Sequence, residues 1–267
     1  MDNRPIGVFD SGLGGLTSVL AIKNELPSES IIYFGDTART PYGSKSPDTI
    51  KEFSKGIAGY LIKKDVKMIV IACNTVTSIA LETLKHTYPD IPILGVIEPT
   101  ARKVAKEAIQ EIGIIGTKVT IESKIYEDNI KKYSDTLKTK SLACPALVPL
   151  IEEGIIENEI MDLTIKYYMD DFVNANNFKH LILGCTHYPL VSQNIKRLYP
   201  ELSLYSSSNE VAKEVKSVLS KNNILAEEND LQDKLYASDL SDNFLNMTKR
   251  LFGEENVVTK LKKLEIG

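Results

Sequence analysis

The 267-residue sequence lacks several features that mark specialised classes of protein. Its formal net charge is −4, so no basic excess favours binding to nucleic acid or to anionic lipid. Residues 1–12 contain neither an apolar h-region nor a cleavage site, which argues against a signal peptide. The longest apolar runs, such as residues 68–73, have the length of a strand and are too short to cross a bilayer. We therefore expect a cytoplasmic protein that does not enter a membrane.

Cysteine is also scarce. The three cysteines, Cys73, Cys144 and Cys185, cannot all pair within the chain and do not resemble a disulfide framework, which favours a reducing compartment. There is no Cys-x-x-Cys pair, so a zinc site made of Cys73, Cys185 and His187 is disfavoured, although three ligands would suffice for a catalytic zinc. The glycine-rich segment DSGLGG at residues 10–15 fits neither GxGxxG nor GxxxxGK[ST], so the standard nucleotide-binding motifs are absent.

What the sequence does contain is typical of a parallel α/β protein. Hydrophobic residues make up 43% and charged residues 25%, which is a globular composition. Short apolar runs alternate with longer stretches of helical period, and one helix is predicted to start after Ser46 with Pro47 at its first position. The predicted strands cover residues 6–9, 31–34, 68–72, 93–97, 112–115, 181–184, 202–205 and 234–237. A last segment is predicted at 257–266, and we expect this tail to pack on the first half of the chain.

Small polar residues follow most of the predicted strands. They are Asp10-Ser11-Gly12, Gly35-Asp36-Thr37, Cys73-Asn74-Thr75, Glu98-Pro99-Thr100, Gly116-Thr117 and Cys185-Thr186-His187. In open parallel sheets a ligand binds beyond the carboxyl ends of the strands. One polar group at such a position is ordinary, whereas this series predicts a binding or catalytic site.

Two of these strand ends resemble each other. IVIACNT at 69–75 and LILGCTH at 181–187 share three apolar residues, a small residue, a cysteine and two polar residues. Each lies at a similar distance beyond another strand end, Asp10 for the first and Thr117 for the second. The pattern predicts two related α/β halves that each offer a cysteine, although strands ending in Gly or Cys are common enough to coincide.

The two strand-end cysteines are candidates for acid/base chemistry. A buried cysteine is often only a small hydrophobic residue, and Cys144, followed by Pro145, fits that interpretation. Cys73 and Cys185 instead precede predicted helices, whose N-termini lower the pKa of a thiol. At an unperturbed pKa near 8.5, only roughly 3% of a thiol is ionised at pH 7, so modest tuning creates a usable base. His187 is a surface or capping histidine, or else it exchanges a proton with Cys185.

Two further segments are ambiguous from the residues alone. Gly12, Gly14 and Gly15 would let backbone N–H groups approach a carboxylate beside Asp10, but Asp10 could equally be a simple helix N-cap. The segment at 39–47 is most simply interpreted as a Pro-Gly turn. Glu152 is most simply interpreted as a residue that faces solvent.

Taken together, seven segments resemble the glutamate racemases of the aspartate/glutamate racemase family. They are DSGLGGLT (10–17), YFGDTARTPYG (33–43), ACNT (72–75), GVIEP (95–99), IGTKVTIES (115–123), ACPALVPLIEEG (143–154) and LGCTHYP (183–189). Members of this family are cofactor-independent enzymes that interconvert L- and D-glutamate and supply D-glutamate for bacterial peptidoglycan. The resemblance covers the chain to about residue 190 in the family's order.

The resemblance implies two pseudo-symmetric parallel-sheet domains with the active site in the cleft between them. The first domain would comprise residues 1–97 and 208–267, and the second residues 98–207. The catalytic residues that the resemblance assigns are Cys73 and Cys185 as acid/base groups, with Asp10, His187 and Glu152 as assisting groups. The substrate-binding residues that it implies are Asp10, Ser11, Tyr42, Gly43, Asn74, Thr75, Thr117, Thr120, Thr186 and His187. It implies no metal and no cofactor, and homodimers occur among the resembling enzymes.

Other functions remain open from the sequence. A related racemase could act on aspartate, although the GCTHYP segment favours glutamate. A non-catalytic relative could bind an amino acid without exchanging its α-proton. A thiol-redox protein is a weaker alternative, because no two cysteines are close in sequence.

Overall fold

The computed structural model describes residues 1–227, 231–253 and 257–261, the last range for its backbone alone. Residues 262–266, which end the segment predicted at 257–266, lie outside this description. Within the described ranges, no helix combines the length and the apolar character that crossing a membrane requires.

Strands and helices alternate along most of the chain. The strands are β1 (Ile6–Asp10), β2 (Ile31–Gly35), β3 (Met68–Ile71), β4 (Ile93–Gly95), β5 (Glu111–Gly116), β6 (Lys138–Ala143), β7 (His180–Gly184), β8 (Ser203–Ser206), β9 (Asp233–Ala237) and β10 (Val257–Leu261). The α-helices are α1 (Leu16–Glu25), α2 (Pro47–Ile62), α3 (Asn74–Thr87), α4 (Ile97–Ala105), α5 (Lys118–Glu122), α6 (Ile125–Lys131), α7 (Leu147–Glu152), α8 (Glu159–Asn174), α9 (Ser192–Leu198), α10 (Ser207–Lys221) and α11 (Asp242–Phe252). Short 3-10 turns lie at Thr37–Arg39, Tyr42–Ser44 and Tyr188–Val191.

The strands form two parallel sheets, which confirms the predicted α/β class. The first sheet has the order β10-β9-β2-β1-β3-β4, and the second has the order β6-β5-β7-β8. Strand β9 pairs with β2, so the C-terminal part of the chain returns to the first sheet as expected. The first sheet thus draws on both ends of the chain, and the second sheet lies within 111–206. The exact domain boundaries stay a prediction.

The order of the strands repeats between the sheets. The run β2-β1-β3-β4 corresponds to β6-β5-β7-β8, so β1 matches β5 and β3 matches β7. Asp10 ends β1 and Thr117 follows β5, while Cys73 follows β3 and Cys185 follows β7. The similarity between residues 69–75 and 181–187 therefore has a counterpart in the topology.

The central strands of the first sheet are buried along their whole length. All residues of β1, β2 and β3 are buried, as continuous apolar runs in parallel sheets usually are. Burying one Val, Leu or Ile side chain contributes about 1.5–3 kcal/mol, so these strands supply much of the core. The helix predicted after Ser46 is α2, whose Ser46 Oγ accepts a hydrogen bond from the Thr49 N–H.

Two predictions about the elements are wrong or incomplete. The strand predicted at 93–97 ends at Gly95, and α4 begins at Ile97. Glu98 lies in the first turn of α4 and pairs with Arg102 one turn later at 3.1 Å, so it is part of a helix and not of a strand-end loop. Strand β6 was not predicted because its sequence, KTKSLA, is polar, as suits its position at the edge of the second sheet.

Candidate active site

Both candidate cysteines lie where a strand ends. Cys73 is the N-cap residue of α3 and Cys185 directly follows β7, and each is only 5% exposed. The Ser11 hydroxyl lies 3.4 Å from Cys73 Sγ, and Asp10, the residue before Ser11, accepts a hydrogen bond from Thr186, the residue after Cys185, so both cysteines lie in one site. Cys144 is fully buried and its carbonyl accepts a 3.0 Å hydrogen bond from the Tyr188 hydroxyl, which fits the structural role expected for it.

The environment of Cys73 keeps its thiol protonated. Burial and, next, the negative charge of Asp10 raise the pKa of Cys73 to about 12. The Ser11 hydroxyl, 3.4 Å from Cys73 Sγ, and the Val76 N–H act in the opposite direction but are weaker. The expectation that the N-terminus of the helix lowers the pKa of this thiol is therefore wrong, because burial outweighs the helix dipole.

Cys185 has a histidine as its neighbour. His187 Nδ1 lies 3.7 Å from Cys185 Sγ, and His187 Nε2 lies 2.6 Å from Glu152 Oε1. Burial alone would lower the pKa of His187, but its hydrogen bonds to Cys185 and Glu152 together raise that pKa well above the ordinary value. His187 Nδ1 is therefore placed to exchange a proton with Cys185 Sγ, while its Nε2 is held by Glu152.

Glu152 does not face solvent freely, contrary to the default expectation. Its side chain is 18% exposed, and Oε1 accepts a hydrogen bond from the Leu13 N–H at 3.3 Å as well as the contact from His187. Leu13 belongs to the glycine-rich loop that follows β1. The carboxylate of Glu152 therefore joins this loop to the imidazole beside Cys185.

Asp10 is the last residue of β1, directly before the glycine-rich loop, and is fully buried. Its carboxylate accepts hydrogen bonds from the Gly12 N–H at 3.0 Å and from the Thr186 hydroxyl at 3.2 Å. Burial raises the pKa of Asp10, while the positive charge of His187 opposes that rise. Asp10 is not a simple N-cap, because Gly15 occupies the N-cap position of α1.

The glycine-rich loop packs directly against the second half of the site. A Cβ atom at Gly14 would lie 2.5 Å from His187 Nδ1, a distance that real Cβ atoms do not adopt. Only glycine therefore permits the observed approach of this loop to the imidazole.

Three threonine hydroxyls form a cluster that also spans the two sheets. Thr75 Oγ1 lies 2.9 Å from Thr117 Oγ1, and Thr117 Oγ1 lies 3.0 Å from Thr120 Oγ1. A Cβ atom at Gly43 would lie 2.9 Å from the Cβ of Thr117, so the 42–44 turn closes over this cluster. Hydroxyl groups and turn N–H groups are ordinary ligands of a carboxylate.

The hydroxyl group of Tyr42 is hydrogen-bonded to another side chain of the protein. It is buried, and its hydroxyl donates to the fully buried carboxylate of Asp36. Arg39 and Ser238 donate to the same carboxylate, at 2.9 and 2.8 Å. Asp36 therefore fixes the turn that carries Tyr42 and Gly43; the sequence placed Asp36 at a strand end but did not indicate this function.

Asn74 is held by residues that sequence reasoning missed. Its Oδ1 accepts a 2.6 Å hydrogen bond from the Tyr126 hydroxyl, and its Nδ2 donates to Ser207 Oγ at 3.2 Å. Tyr126 resembles any core aromatic residue in a helical stretch, so the sequence carried no signal for this contact.

The structure thus brings the predicted site residues to the facing carboxyl ends of two sheets. Hydrogen bonds between Asp10 and Thr186, and between Thr75 and Thr117, cross from one sheet to the other. Within the described residues, no group of three or more His, Cys, Asp or Glu side chains is arranged to hold a metal ion, so the zinc alternative has no ligand set there.

Comparison with known proteins identifies relatives over nearly the whole chain. The sequence model of the Asp/Glu/hydantoin racemase family matches residues 18–214. The chain is 43% identical to a glutamate racemase of Sulfurihydrogenibium over 265 residues, covering 98% of each protein. It is 40% identical to a glutamate racemase of Aquifex aeolicus over 251 residues, covering 94% of each.

Solved structures agree at the level of the whole fold. A glutamate racemase of Francisella tularensis in complex with D-glutamate superimposes with a TM-score of 0.91 at 36% identity, covering 100% of this chain and 99% of that one. The glutamate racemase of Thermus thermophilus gives a TM-score of 0.87 at 37% identity over the full length of both chains. An aspartate racemase of Picrophilus torridus, at 16% identity, 94% coverage of this chain, 100% of that one and a TM-score of 0.58, shares the fold alone. The chain therefore belongs to the Asp/Glu/hydantoin racemase family and, within it, to the glutamate racemases.

Proposed function

We propose that this amino-acid racemase interconverts L- and D-glutamate by two-base proton transfer at Cα, with Cys73 and Cys185 as the bases. The observation that supports this most strongly is that each half of the site offers one cysteine with a proton-exchanging neighbour. Cys73 Sγ lies 3.4 Å from the Ser11 hydroxyl beside Asp10, and Cys185 Sγ lies 3.7 Å from His187 Nδ1, which Glu152 holds at its other nitrogen. A two-base racemase needs one acid and one base on opposite faces of the substrate.

In the proposed reaction, the Cys185 thiolate removes the proton from one face of Cα. The electron pair of that C–H bond remains on the substrate as a carbanion that its carboxylate stabilises. The Cys73 thiol then delivers its proton to the opposite face, which inverts the configuration and leaves Cys73 as thiolate. The reverse reaction exchanges these roles. His187, held by Glu152 at 2.6 Å, and Asp10 assist Cys185 and Cys73 respectively.

We propose distinct contacts for the polar groups of glutamate. The cluster of Thr75, Thr117 and Thr120, with the Gly43 N–H, would bind one carboxylate, because its hydroxyls lie within 3.5 Å of each other. The side chains that remain would bind the other carboxylate and the ammonium group. They are Asp10, Ser11, Asn74, Thr186 and His187, together with the backbone of Tyr42. Donors fixed in this way stabilise the negative charge that develops in the transition state.

The cellular role follows from the product. We propose that the chain supplies D-glutamate for peptidoglycan synthesis and works in the cytoplasm, where its free cysteines stay reduced. The proposed route uses only side chains of the protein, so we expect racemisation without added metal or cofactor. Homodimer formation is also a proposal, and sedimentation analysis of the purified protein would test it.

Proton exchange in deuterated water tests the mechanism. The wild-type protein should incorporate deuterium at Cα of both enantiomers of glutamate and should invert both. Cys73→Ser should abolish inversion but still exchange the α-proton of one enantiomer, because Cys185 can remove a proton and return deuterium to the same face. Cys185→Ser should exchange the opposite enantiomer, more slowly, because Cys73 is mostly protonated.

Cys144→Ser is the matched control, since this thiol makes no contribution to the proposed chemistry, and it should racemise like wild type. Inversion at the wild-type rate in either Cys73→Ser or Cys185→Ser would refute the two-base mechanism. Measuring aspartate in parallel separates the alternatives: faster exchange of aspartate would make the chain an aspartate racemase. Binding of glutamate without any exchange would make it a non-catalytic relative.

A further inference from the structure

Three separate segments meet at the side chain of Asn74. Asn74 is the first residue of α3 and directly follows Cys73. Tyr126, on α6, donates its hydroxyl proton to Asn74 Oδ1 at 2.6 Å, and Ser207, the first residue of α10, accepts from Asn74 Nδ2 at 3.2 Å. All three residues are buried.

These two bonds fix the orientation of the Asn74 amide. An Asn side chain carries two N–H donors and one carbonyl acceptor. Tyr126 takes up the carbonyl, which turns the NH₂ group away from α6. In the part of the chain that the structure describes, Nδ2 donates to Ser207 only, so its second N–H is available to a ligand. Without the Tyr126 hydroxyl, the amide could rotate and present its carbonyl to the ligand instead.

Tyr126 also lies close to the second cysteine. Burial is the main cause that raises the pKa of its hydroxyl, and the Ser207 and Thr100 hydroxyls oppose that rise. The hydroxyl therefore keeps its proton at neutral pH and can donate it. It bonds to Asn74, the neighbour of Cys73, and the ring lies beside Gly184, the neighbour of Cys185, because a Cβ atom at Gly184 would lie 3.2 Å from Tyr126 Cε2.

We propose that Tyr126 is a positioning residue of the racemase reaction: its hydroxyl orients the Asn74 amide so that an N–H faces a carboxylate of the substrate. This inference rests on the proposed function. Tyr126 itself does not touch the substrate, and its effect reaches the substrate through Asn74 alone.

Tyr126→Phe removes the hydroxyl and keeps the ring. We expect kcat/KM for glutamate to fall about tenfold, the effect of losing one well-oriented hydrogen bond, with most of the change in KM. Because enantiomers have equal free energies, the fall must be the same for L- and D-glutamate. Tyr199→Phe is the matched control: it removes a hydroxyl that bonds to Asp170 at the same 2.6 Å, and it should behave like wild type.

A double-mutant cycle tests whether Tyr126 acts through Asn74. In an Asn74→Ala background, Tyr126→Phe should cause no further loss of kcat/KM. A second tenfold loss in that background, or unchanged kinetics of Tyr126→Phe in the wild-type background, would overturn the inference. An effect confined to kcat, with KM unchanged, would also overturn it.

A measurement that does not depend on enzyme activity distinguishes a failure of this inference from a failure of the proposed function. The side-chain NH₂ signals of Asn74 in a ¹⁵N-labelled protein are assigned by their loss in Asn74→Ala. Tyr126→Phe should shift them, and Tyr199→Phe should not. If these signals stay in place, the inference fails even when the wild type racemises glutamate. If wild type fails to racemise glutamate, the proposed function fails, and the signals still decide whether Tyr126 orients Asn74.

Discussion

At the level of single residues, the two cysteines share a sequence pattern but differ in their charged neighbours. Cys73 has a buried carboxylate nearby, and Cys185 has an imidazole nitrogen 3.7 Å away. Equal positions in two related halves therefore have different electrostatic surroundings. The asymmetry comes from Asp10 on one side and from the His187–Glu152 pair on the other.

This asymmetry predicts selective alkylation. Iodoacetamide reacts with thiolates, so at about pH 7.5 it should modify Cys185 well before Cys73 and Cys144, whose pKa values burial raises to about 12. Peptide mass spectrometry over a time course measures the order. His187→Gln should slow the reaction of Cys185 and leave the other two unchanged. Faster labelling of Cys73 than of Cys185 would contradict the effect of burial on the pKa of Cys73.

The pair of His187 and Glu152 predicts a pH-dependent contribution to stability. The folded protein raises the pKa of His187 above its unfolded value, so the stabilisation is complete below about pH 6.5 and is lost as the pH rises through the higher folded value. Glu152→Gln should therefore lower the melting temperature more at about pH 6 than at about pH 9.5. Thermal unfolding at both pH values checks this prediction. A larger decrease in melting temperature at the higher pH would contradict the predicted direction of the pH dependence.

Sequence reasoning found Cys73, Cys185 and His187 because each follows a buried strand, and a strand end is visible in the sequence. It could not give the protonation of Cys73, since this depends on how deeply the folded chain buries the sulfur. Nor could it find Tyr126, whose partner Asn74 lies on another helix. Contacts of this kind depend on the packing of elements and not on local pattern.

At the level of elements, the loop between β1 and α1 is shaped by glycine. At Gly14 the loop contacts His187, and at Leu13 it donates a backbone N–H to Glu152. The loop of one half therefore positions the acid/base residues of the other half. The glycines of this loop allow its backbone to pack closely against neighbouring side chains. Glycine-rich loops often indicate nucleotide binding, but here the glycines are explained by this packing.

Gly14→Ala tests this contact. The new Cβ would lie 2.5 Å from His187 Nδ1, so the imidazole or the loop must move. A displacement of about 1 Å in an active site can cost about 100-fold, and we expect a loss of kcat/KM of that order. Gly59→Ala on α2 is the control, since the nearest atom to its Cβ would be the Tyr88 hydroxyl oxygen, at 3.1 Å, and alanine favours the helix. Wild-type kinetics in Gly14→Ala would show that the contact is not needed.

The elements themselves were largely predictable, because buried parallel strands are continuous apolar runs. The exceptions have physical causes. Strand β6 escaped prediction because an edge strand exposes alternate polar residues. The end of β4 was placed two residues late because Val96 and Ile97 are apolar on both sides of the boundary between strand and helix.

At the level of the whole molecule, a buried ion pair ties together distant parts of the chain. Lys67 Nζ lies 2.6 Å from Glu29 Oε2, and the side chains are 0% and 2% exposed. Lys67 also donates to the carbonyls of Asp2 and Ile224, and Glu29 accepts from the Ala226 N–H. The pair thus links the segment that precedes β9 to the segments that precede β1 and β2.

Breaking this pair should destabilise the fold. Lys67→Met leaves the Glu29 carboxylate buried without a counter-charge, which costs about 3–5 kcal/mol. The double variant Lys67→Met/Glu29→Gln keeps an acceptor for the Ala226 N–H and should recover most of the loss. Lys85→Met, in an exposed pair with Glu82, should change stability by less than about 0.5 kcal/mol. Urea unfolding measures the stability of all three variants. A Lys67→Met variant as stable as wild type would contradict the assigned role of the pair.

The return of the later strands to the first sheet also sets the order in which the two sheets can be completed during synthesis. A ribosome adds about 5–20 residues per second and releases the N-terminal part first. By residue 206 the second sheet has all its strands, and every catalytic side chain proposed here has been made. The first sheet still lacks β9, its neighbour to β2, which ends only at Ala237. A nascent chain of that length therefore holds every reactive group proposed here on a first sheet that still lacks β9.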